Sequence, residues 1–161
     1  MTAVEDAAAY RTAMGHFTTG VTVVTSSGED GPAGLTANAV CSLSLEPLLF
    51  IVCLDRESRT LRAVEDTRRL GLNVLSEAQE PLARAFADRE REMEIKFDGL
   101  GYREVDGVPV LEGVLAWLTG EVRELLPGGD HLRAVTAGRR FGVAGGEPLV
   151  FYRGGFHSLG D

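Results

Sequence analysis

The chain has 161 residues, of which 44% are hydrophobic and 25% charged, and its formal net charge is −8. This length fits one domain over residues 1–161, and the composition excludes a disordered chain. Because acidic residues outnumber Lys and Arg, we expect neither nucleic acid nor an acidic membrane as a partner. The first residues lack a signal-peptide core and no apolar run can span a bilayer, so we expect a soluble, cytoplasmic protein.

Patterns in the first third of the chain predict one helix followed by three strands. Thr2 and Glu5 form a capping box at the start of a helix over 3–17. The strands are predicted over 21–25, 33–42 and 48–54, with a turn-rich loop between the first two. The third strand is apolar throughout, which predicts a central position in its sheet.

The rest of the chain mixes short helices with strands. Ser58 is predicted to cap one helix, and Ser76 with Gln79 forms a capping box for another. The residues predicted on the buried sides of these helices are Leu61, Val64, Leu82, Ala85 and Phe86. A solvated charged stretch is predicted over 88–94, and a hairpin turn at Asp106-Gly107. Further strands are predicted over 70–75, 113–125, 131–143 and 148–153.

The order of these elements indicates the fold class. Strands joined by short turns favour antiparallel pairing, and their number suits a closed barrel. We therefore predict a mainly β fold with flanking helices. No internal repeat or linker divides the chain.

The stretch from Leu54 to Thr60 is a candidate phosphate site because it runs from a strand into a helix. Unpaired N–H groups and the positive end of the helix dipole favour an anion there. The hydroxyls of Ser58 and Thr60 can add donors, as can the guanidinium groups of Arg56 and Arg59. Alternatively, Ser58 only caps the helix and the arginines face solvent.

The segment Gly34–Ser42 places small and polar residues inside a predicted strand. Such a strand lets a flat ligand approach the backbone, and Thr36, Asn38 and Ser42 can bond to ring heteroatoms. Alternatively, it is an edge strand whose small residues serve packing.

Other residues carry weaker signals. His131 is a candidate catalyst or a structural histidine. The segment 151–156 carries an aromatic pair and Arg153 and is a candidate to clamp a nicotinamide or its phosphates; alternatively, it is a strand that ends in a glycine turn. Cys41 and Cys53 lie in apolar runs and are predicted to be buried free thiols. Metal-ligand spacing is absent, so no metal site is expected. The glycine-rich motifs of Rossmann and P-loop sites are absent too, so any dinucleotide must bind by another architecture.

Eight segments in order make the chain similar to a known family. They are FTTGVTVVTS (17–26), GLTANAVCSLSLEP (34–47), FIVCLDRESRTL (50–61), LNVLSEAQEPLARAFA (72–87), KFDGL (96–100), GVLAWLTGEV (113–122), GDH (129–131) and PLVFYRGGF (148–156). Through these segments the chain resembles the short-chain flavin reductases, which are reductase components of two-component flavin-dependent monooxygenases. The resemblance implies an FMN-binding split β-barrel, antiparallel and of Greek-key type.

The resemblance also implies the residues of a flavin and nicotinamide site. Those implied for the flavin ring and ribityl chain are Thr36, Ala37, Asn38, Ala39, Val40, Ser42 and Leu43, with Cys53 beneath the flavin. Those implied for the flavin phosphate are Ser58, Arg59 and Thr60, with Lys96 and Phe97 as a further contact. Those implied for the nicotinamide side are His131, Tyr152, Arg153 and Gly154. The chain departs from the family pattern at Pro47-Leu48 and after His131.

The implied activity is that of an NAD(P)H:flavin oxidoreductase. It transfers hydride from NADH or NADPH to FMN or FAD by positioning the two rings, and only His131 is a candidate for a catalytic role. Reduced flavin then diffuses to a separate monooxygenase, and the enzyme is implied to be a homodimer. The rival hypotheses are a non-catalytic flavin- or haem-binding split barrel, an oxidase of a phosphorylated pyridoxal-type substrate, and a flavin-free interaction module.

Overall fold

The computed structural model describes residues 6–160. The α-helices are α1 (Ala7–Met14), α2 (Arg59–Thr67), α3 (Glu80–Ala87) and α4 (Met93–Phe97), and a 3-10 turn, Glu77–Gln79, precedes α3. The strands are β1 (Thr19–Gly20), β2 (Thr22–Gly28), β3 (Gly31–Ala37), β4 (Val40–Leu45), β5 (Leu48–Asp55), β6 (Arg69–Val74), β7 (Tyr102–Val105), β8 (Val108–Leu111), β9 (Ala116–Gly128), β10 (His131–Val143), β11 (Val150–Tyr152) and β12 (Gly155–His157).

Seven strands form one antiparallel sheet in the order β3-β2-β6-β9-β10-β5-β4. β3 and β4 stand at opposite ends of this order, yet only Asn38 and Ala39 separate them in the chain. The sheet therefore curls until its ends meet at this corner, where the amide of Cys53 donates to the carbonyl of Ala39 at 3.0 Å. The result is a split barrel, and the predicted mainly β, antiparallel fold with flanking helices is confirmed.

Short turns fix the pairing of neighbouring strands. Asp106 and Gly107 join β7 to β8 with φ of 52° and 78°, the left-handed conformation that a two-residue hairpin turn requires. β9 and β10 are 13 residues each and are joined by Gly129-Asp130, where Gly129 has a φ of 71°. The hairpin predicted at Asp106-Gly107 is thus confirmed, and the turn of the long β9–β10 hairpin is followed directly by His131.

Two apolar clusters hold the strands and helices together. One lies inside the barrel, where Leu61 and Val64 of α2 pack against strand residues such as Leu54. The other lies under α3 and α4 and contains Phe86 and Phe97. The predicted inner side of α2 is confirmed. In α3 the fully buried residues are Ala83 and Phe86, while Leu82 and Ala85 are half-buried.

Three predicted elements differ from the structure. The helix predicted over 3–17 ends at Met14, and Asp6 caps it by accepting the amide of Ala8 at 2.8 Å. The capping box of Thr2 and Glu5 lies outside the described residues. The predicted strand over 33–42 is two strands, because the chain leaves one end of the sheet and enters the other. The predicted loop after 25 is partly strand, because β2 pairs with β3 as far as Gly28.

The positions predicted for β5 and for the cysteines are also corrected. β5 lies next to the edge strand β4 rather than at the centre of the sheet, and its buried side chains alternate with half-exposed ones. Cys41 is exposed because it lies on that edge strand, and Cys53 is half-buried, although both are free thiols as predicted. Among residues 6–160, no helix is both long and apolar enough to cross a membrane.

Candidate functional site

A cavity of about 550 Å³ lies where β3 leaves the sheet toward β4. Its walls come from the end of β3, the end of β5, the start of α2, the segment between α3 and α4, and His131. This volume is typical of small-molecule sites, which occupy roughly 300–1,000 Å³. The elements that meet here are far apart in the chain, so the cavity is a product of barrel closure.

The start of α2 forms one end of the cavity. The hydroxyl of Ser58 accepts the amide of Leu61 at 3.1 Å and donates to the carbonyl of Asp55 at 2.8 Å, so it is engaged within the protein. Thr60 is completely buried, and its Oγ1 has no hydrogen-bond partner among the described residues. Because a buried hydroxyl without a partner is costly, Thr60 indicates a ligand oxygen at this helix start.

Lys96 lines the cavity from α4. It is only 7% exposed, and its side chain makes no hydrogen bond or salt bridge within residues 6–160, although Nζ lies 5.9 Å from the ring centre of Phe86. Burial lowers the pKa of its ammonium below the usual range; Asp88 opposes the shift, and Arg59 and Arg91 add to it. A buried cation without a salt-bridge partner at close range is stabilised by an anion, so Lys96 and Thr60 indicate the same kind of ligand.

The residues from Gly34 to Ala39 form one wall of the cavity, and apart from Leu35 their side chains are small. At Gly34 a Cβ would stand 2.7 Å from the ring of Phe86, so β3 approaches α3 more closely than any other residue would allow. The hydroxyl of Thr36 donates to the carbonyl of Ala83 at 2.6 Å and is therefore engaged, whereas Asn38 and Ala39 are exposed. This wall suits a flat group that lies against the backbone.

His131 closes a further side of the cavity. Its Nδ1 lies 2.7 Å from Oδ1 of Asp130, and this hydrogen bond lowers the pKa of Asp130 below its usual range. Because Nδ1 is engaged, Nε2 is the ring nitrogen left for other partners.

The cavity contains no activated nucleophile. Burial, and next the neighbouring Cys41 thiol, raise the pKa of Cys53, so Cys53 stays protonated at neutral pH. Among the described residues, no group of three or more His, Cys, Asp and Glu side chains is placed to hold a metal ion. The site therefore offers an anion-binding end and a flat wall for a ligand that brings its own reactivity.

Residues 14–160 match the family described as flavin reductase like domain. The chain is a member of this family. The predicted resemblance to the flavin reductases is thus confirmed. The predicted class, a flavin reductase, and the predicted cofactors, a flavin and a nicotinamide, agree with the names of its relatives.

Named flavin reductases are among the relatives. The chain is 39% identical over 94% of its length to the "Probable flavin reductase" of Rhizobium meliloti, of which it spans 48%. It is 35% identical over 99% of its length to the flavin-dependent monooxygenase reductase subunit HsaB of Mycobacterium tuberculosis, covering 86% of that protein. It is 37% identical over 92% of its length to the NADH-dependent flavin reductase of a Rhodococcus species, covering 84% of it.

A solved flavin reductase has the same fold. The structure of the NADH:FAD oxidoreductase SgcE6 of Streptomyces globisporus C-1027, in complex with NAD and FAD fragments, aligns with a TM-score of 0.89 at 30% identity. The alignment covers 98% of this chain and 94% of that one.

Ten of the residues that the flavin reductase resemblance implies line the cavity. They are Thr36, Ala37, Asn38, Ala39, Cys53, Ser58, Arg59, Thr60, Lys96 and His131. The barrel thus brings together the phosphate end, the small-residue wall and the histidine that the sequence singles out.

Seven implied residues do not line the cavity: Val40, Ser42, Leu43, Phe97, Tyr152, Arg153 and Gly154. Phe97 is in the core, edge-on to Phe86 at 5.2 Å between ring centres. Ser42 and Leu43 are exposed on β4. Tyr152 packs between the rings of His16 and His157, and the amide of Arg153 donates to Gly15. Within one chain, this C-terminal segment packs beside the end of α1.

The residues that sequence reasoning missed belong to the segment between α3 and α4. Asp88, Arg89, Glu90 and Arg91 line the cavity, and Arg89 forms a salt bridge with Asp55 at the end of β5. Their alternating charges predict only a solvated stretch. The position of this segment over the cavity depends on how α3 packs on β3, which the local sequence does not show. Arg56, predicted as a phosphate donor, lies elsewhere: its Nε donates to the carbonyl of Gly129 at 2.7 Å.

Proposed function

We propose that this protein is an NAD(P)H:flavin oxidoreductase that transfers hydride from NADH or NADPH to FMN or FAD and supplies reduced flavin to a separate monooxygenase. One observation carries the proposal: within residues 6–160, a buried Thr60 hydroxyl without a hydrogen-bond partner and a buried Lys96 without a salt bridge line the same cavity at a helix start. This arrangement fits the phosphate of a flavin nucleotide.

The residues that line the cavity fit the phosphate and the flat ring of a flavin. The amides at the start of α2, the Thr60 hydroxyl and the Arg59 side chain would hold the phosphate. The small side chains of Thr36 to Ala39 would support the flat ring without crowding it. The bound flavin supplies the hydride-accepting ring, and the nicotinamide supplies the hydride. The protein would have only to position the two rings for hydride transfer, a step that needs no proton-transferring or nucleophilic side chain.

His131 is the residue we propose for the nicotinamide side. It lines the cavity from the start of β10, and its Nδ1 is held by Asp130. The NADH-dependent relative and the NAD-bound neighbour support a nicotinamide as the second ligand. The reductase subunit HsaB supports a monooxygenase as the consumer of reduced flavin.

We also propose that the protein is a homodimer. Every described residue of α1 is exposed, and an isolated eight-residue helix is marginal in water, so α1 needs a surface outside its own chain. Exposed apolar side chains also gather at one end of β4, β5 and β10; we name them the β4–β10 patch. The patch consists of Leu43, Leu45, Leu48, Phe141 and Val143. A second copy that covers these surfaces would remove them from water.

Two further points complete the proposal. We place the protein in the cytoplasm, since free thiols such as Cys41 and Cys53 suit a reducing compartment.

We treat residues 1–161 as one domain, since the seven-stranded sheet joins strands from Thr22 to Val143.

A cofactor titration tests the proposed activity. Purified protein mixed with FMN or FAD and with NADH or NADPH should oxidise the nicotinamide, followed as loss of its near-ultraviolet absorbance. Under anaerobic conditions the visible flavin absorbance should bleach in step. Binding of flavin without oxidation of either nicotinamide would support a non-catalytic flavin-binding protein instead. Failure to bind either flavin would support an interaction module.

A further inference from the structure

Arg56 lies beside the cavity without lining it, in the turn between β5 and α2. Its backbone amide donates to the carbonyl of Asp130 at 3.1 Å, and its Nε donates to the carbonyl of Gly129 at 2.7 Å. Both hydrogen bonds therefore reach the same two-residue turn, the one that joins β9 to β10.

The turn that Arg56 holds is followed directly by His131. Gly129 takes the left-handed conformation, and His131 is the first residue of β10, paired with Asp55 at the end of β5. On the other side, Arg56 stands two residues before Ser58, the cap of α2. Arg56 thus joins the phosphate-binding helix start to the turn that carries His131.

We propose that Arg56 is a positioning residue for the nicotinamide side of the site, acting through His131. Strand pairing of His131 with Gly128 and Asp55 and the Arg56 amide hold the turn through the backbone, and the guanidinium adds a side-chain bond at Gly129 that fixes its angle. The guanidinium bond is charge-assisted and its planar geometry is rigid, which suits it to fixing an angle. This inference rests on the proposed function, because it assumes that a nicotinamide binds beside His131.

Arg56 is suited to positioning rather than to stabilising the fold. Its side chain is exposed and forms no salt bridge among the described residues, so its removal should cost little stability. Small displacements at a hydride-transfer site matter more, because a shift of about 1 Å can reduce the rate on the order of a hundredfold.

The test compares R56A and R56K with R62A. Arg62 is a matched control, because it is an exposed arginine of α2 whose side chain makes no hydrogen bond or salt bridge within the described residues. We expect R56A to lower kcat/KM for the nicotinamide roughly tenfold or more at saturating flavin, while the flavin Kd changes less than about twofold. R56K should recover part of the loss, and R62A should behave as the wild type.

A double-mutant cycle shows whether Arg56 acts through His131. If it does, adding R56A to H131A should cause no further loss, because the two changes remove one function. An equal loss from R56A in both backgrounds would contradict the proposal, as would a parallel loss of flavin affinity.

A measurement on the flavin-free protein separates this inference from the proposed function. The chain has three histidines, so the ring resonances of His131 can be assigned by comparison with H131A. We expect them to shift in R56A and not in R62A. An unchanged His131 spectrum in R56A would overturn the positioning role. Absence of nicotinamide oxidation by the wild type would instead overturn the proposed function, and the His131 resonances would still report whether Arg56 holds the turn.

Discussion

Ser58 and Thr60 are hydroxyl residues at the same helix start, but their hydroxyls do different things. The Ser58 hydroxyl accepts from Leu61 and donates to Asp55, so its contribution is to the cap of α2. The Thr60 hydroxyl is buried and has no partner among the described residues. A Ser58 variant therefore mixes loss of the cap, worth about 0.5–2 kcal/mol, with any loss of ligand binding. A Thr60 variant tests ligand binding alone, because the Thr60 hydroxyl does not take part in the cap of α2.

We predict that T60V lowers flavin affinity roughly tenfold or more without destabilising the protein. Valine keeps the shape of threonine, and the lost hydroxyl makes no hydrogen bond in the flavin-free protein. A hydrogen bond to a charged phosphate contributes about 1.5–3 kcal/mol, so its loss should appear in binding. Flavin fluorescence titration measures the affinity, and urea unfolding measures the free energy of unfolding.

T25V is the matched control for T60V. The Thr25 hydroxyl is equally buried, but it donates to the carbonyl of Pro109 at 2.5 Å and accepts from Asn73 at 3.2 Å. Removing it should lower the free energy of unfolding by about 1–3 kcal/mol and leave flavin affinity unchanged. Equal flavin affinity of T60V and the wild type would show that the Thr60 hydroxyl does not contact the ligand.

At the scale of elements, local patterns predict the hairpins and helices well. A two-residue hairpin turn needs positive φ at both residues, and Asp-Gly is a sequence that accepts this conformation. Asp106 and Gly107 both have positive φ in the structure. The break between β3 and β4 could not be predicted in this way. Residues 33–42 have the local character of one strand, and the break exists because barrel closure sends the chain from one end of the sheet to the other.

The candidate site shows the same division. Ser58 and Thr60 are detectable because a helix start has a local signal. The segment 88–91 could not be detected, because its charged residues are typical of a solvent-exposed stretch. Its position at the cavity depends on the packing of α3. Phe97 shows the reverse: its implied role is a flavin contact, yet the core position it takes beside Phe86 and Tyr102 follows from the fold of α4.

The packing of β3 on α3 gives a prediction at this scale. In G34A the new Cβ would meet the ring of Phe86 at 2.7 Å, and that ring is held in the core edge-on to Phe97. Because neither side can yield cheaply, we expect a loss of about 1–3 kcal/mol in the free energy of unfolding. Flavin affinity should fall as well, since Phe86 lines the cavity. The midpoint of urea unfolding measures the first effect and a flavin titration the second.

G138A is the control for this close approach. Gly138 lies in β10, and a Cβ there would come no nearer than 4.0 Å to another atom, the carbonyl oxygen of Leu48. Its urea midpoint should stay close to that of the wild type. Equal stability of G34A and G138A would contradict the close contact between Gly34 of β3 and the ring of Phe86 in α3.

At the scale of the whole molecule, the exposed apolar residues are unevenly placed. The five residues of the β4–β10 patch lie toward one end of β4, β5 and β10, whereas the cavity is lined by the opposite ends of β5 and β10, at Cys53, Asp55 and His131. Leu45 is 82% exposed and Val143 is 77% exposed, which is unusual for large apolar side chains in one region of a protein that acts alone. The acidic net charge of −8 opposes association through charge, so an apolar surface is what would hold two copies together.

We therefore predict that the wild type sediments with twice the chain mass of 17.3 kDa and that L45E/L48E shifts it toward the monomer. Two carboxylates in the β4–β10 patch would have to lose their hydration in a dimer, which costs far more than the leucines gain. I95E is the control, because Ile95 is 51% exposed on α4, which packs against β3 at the opposite edge of the sheet. Sedimentation equilibrium over a range of concentrations gives the dissociation constant for each variant. A monomeric wild type, or dissociation by I95E as strong as by L45E/L48E, would contradict an interface at this patch.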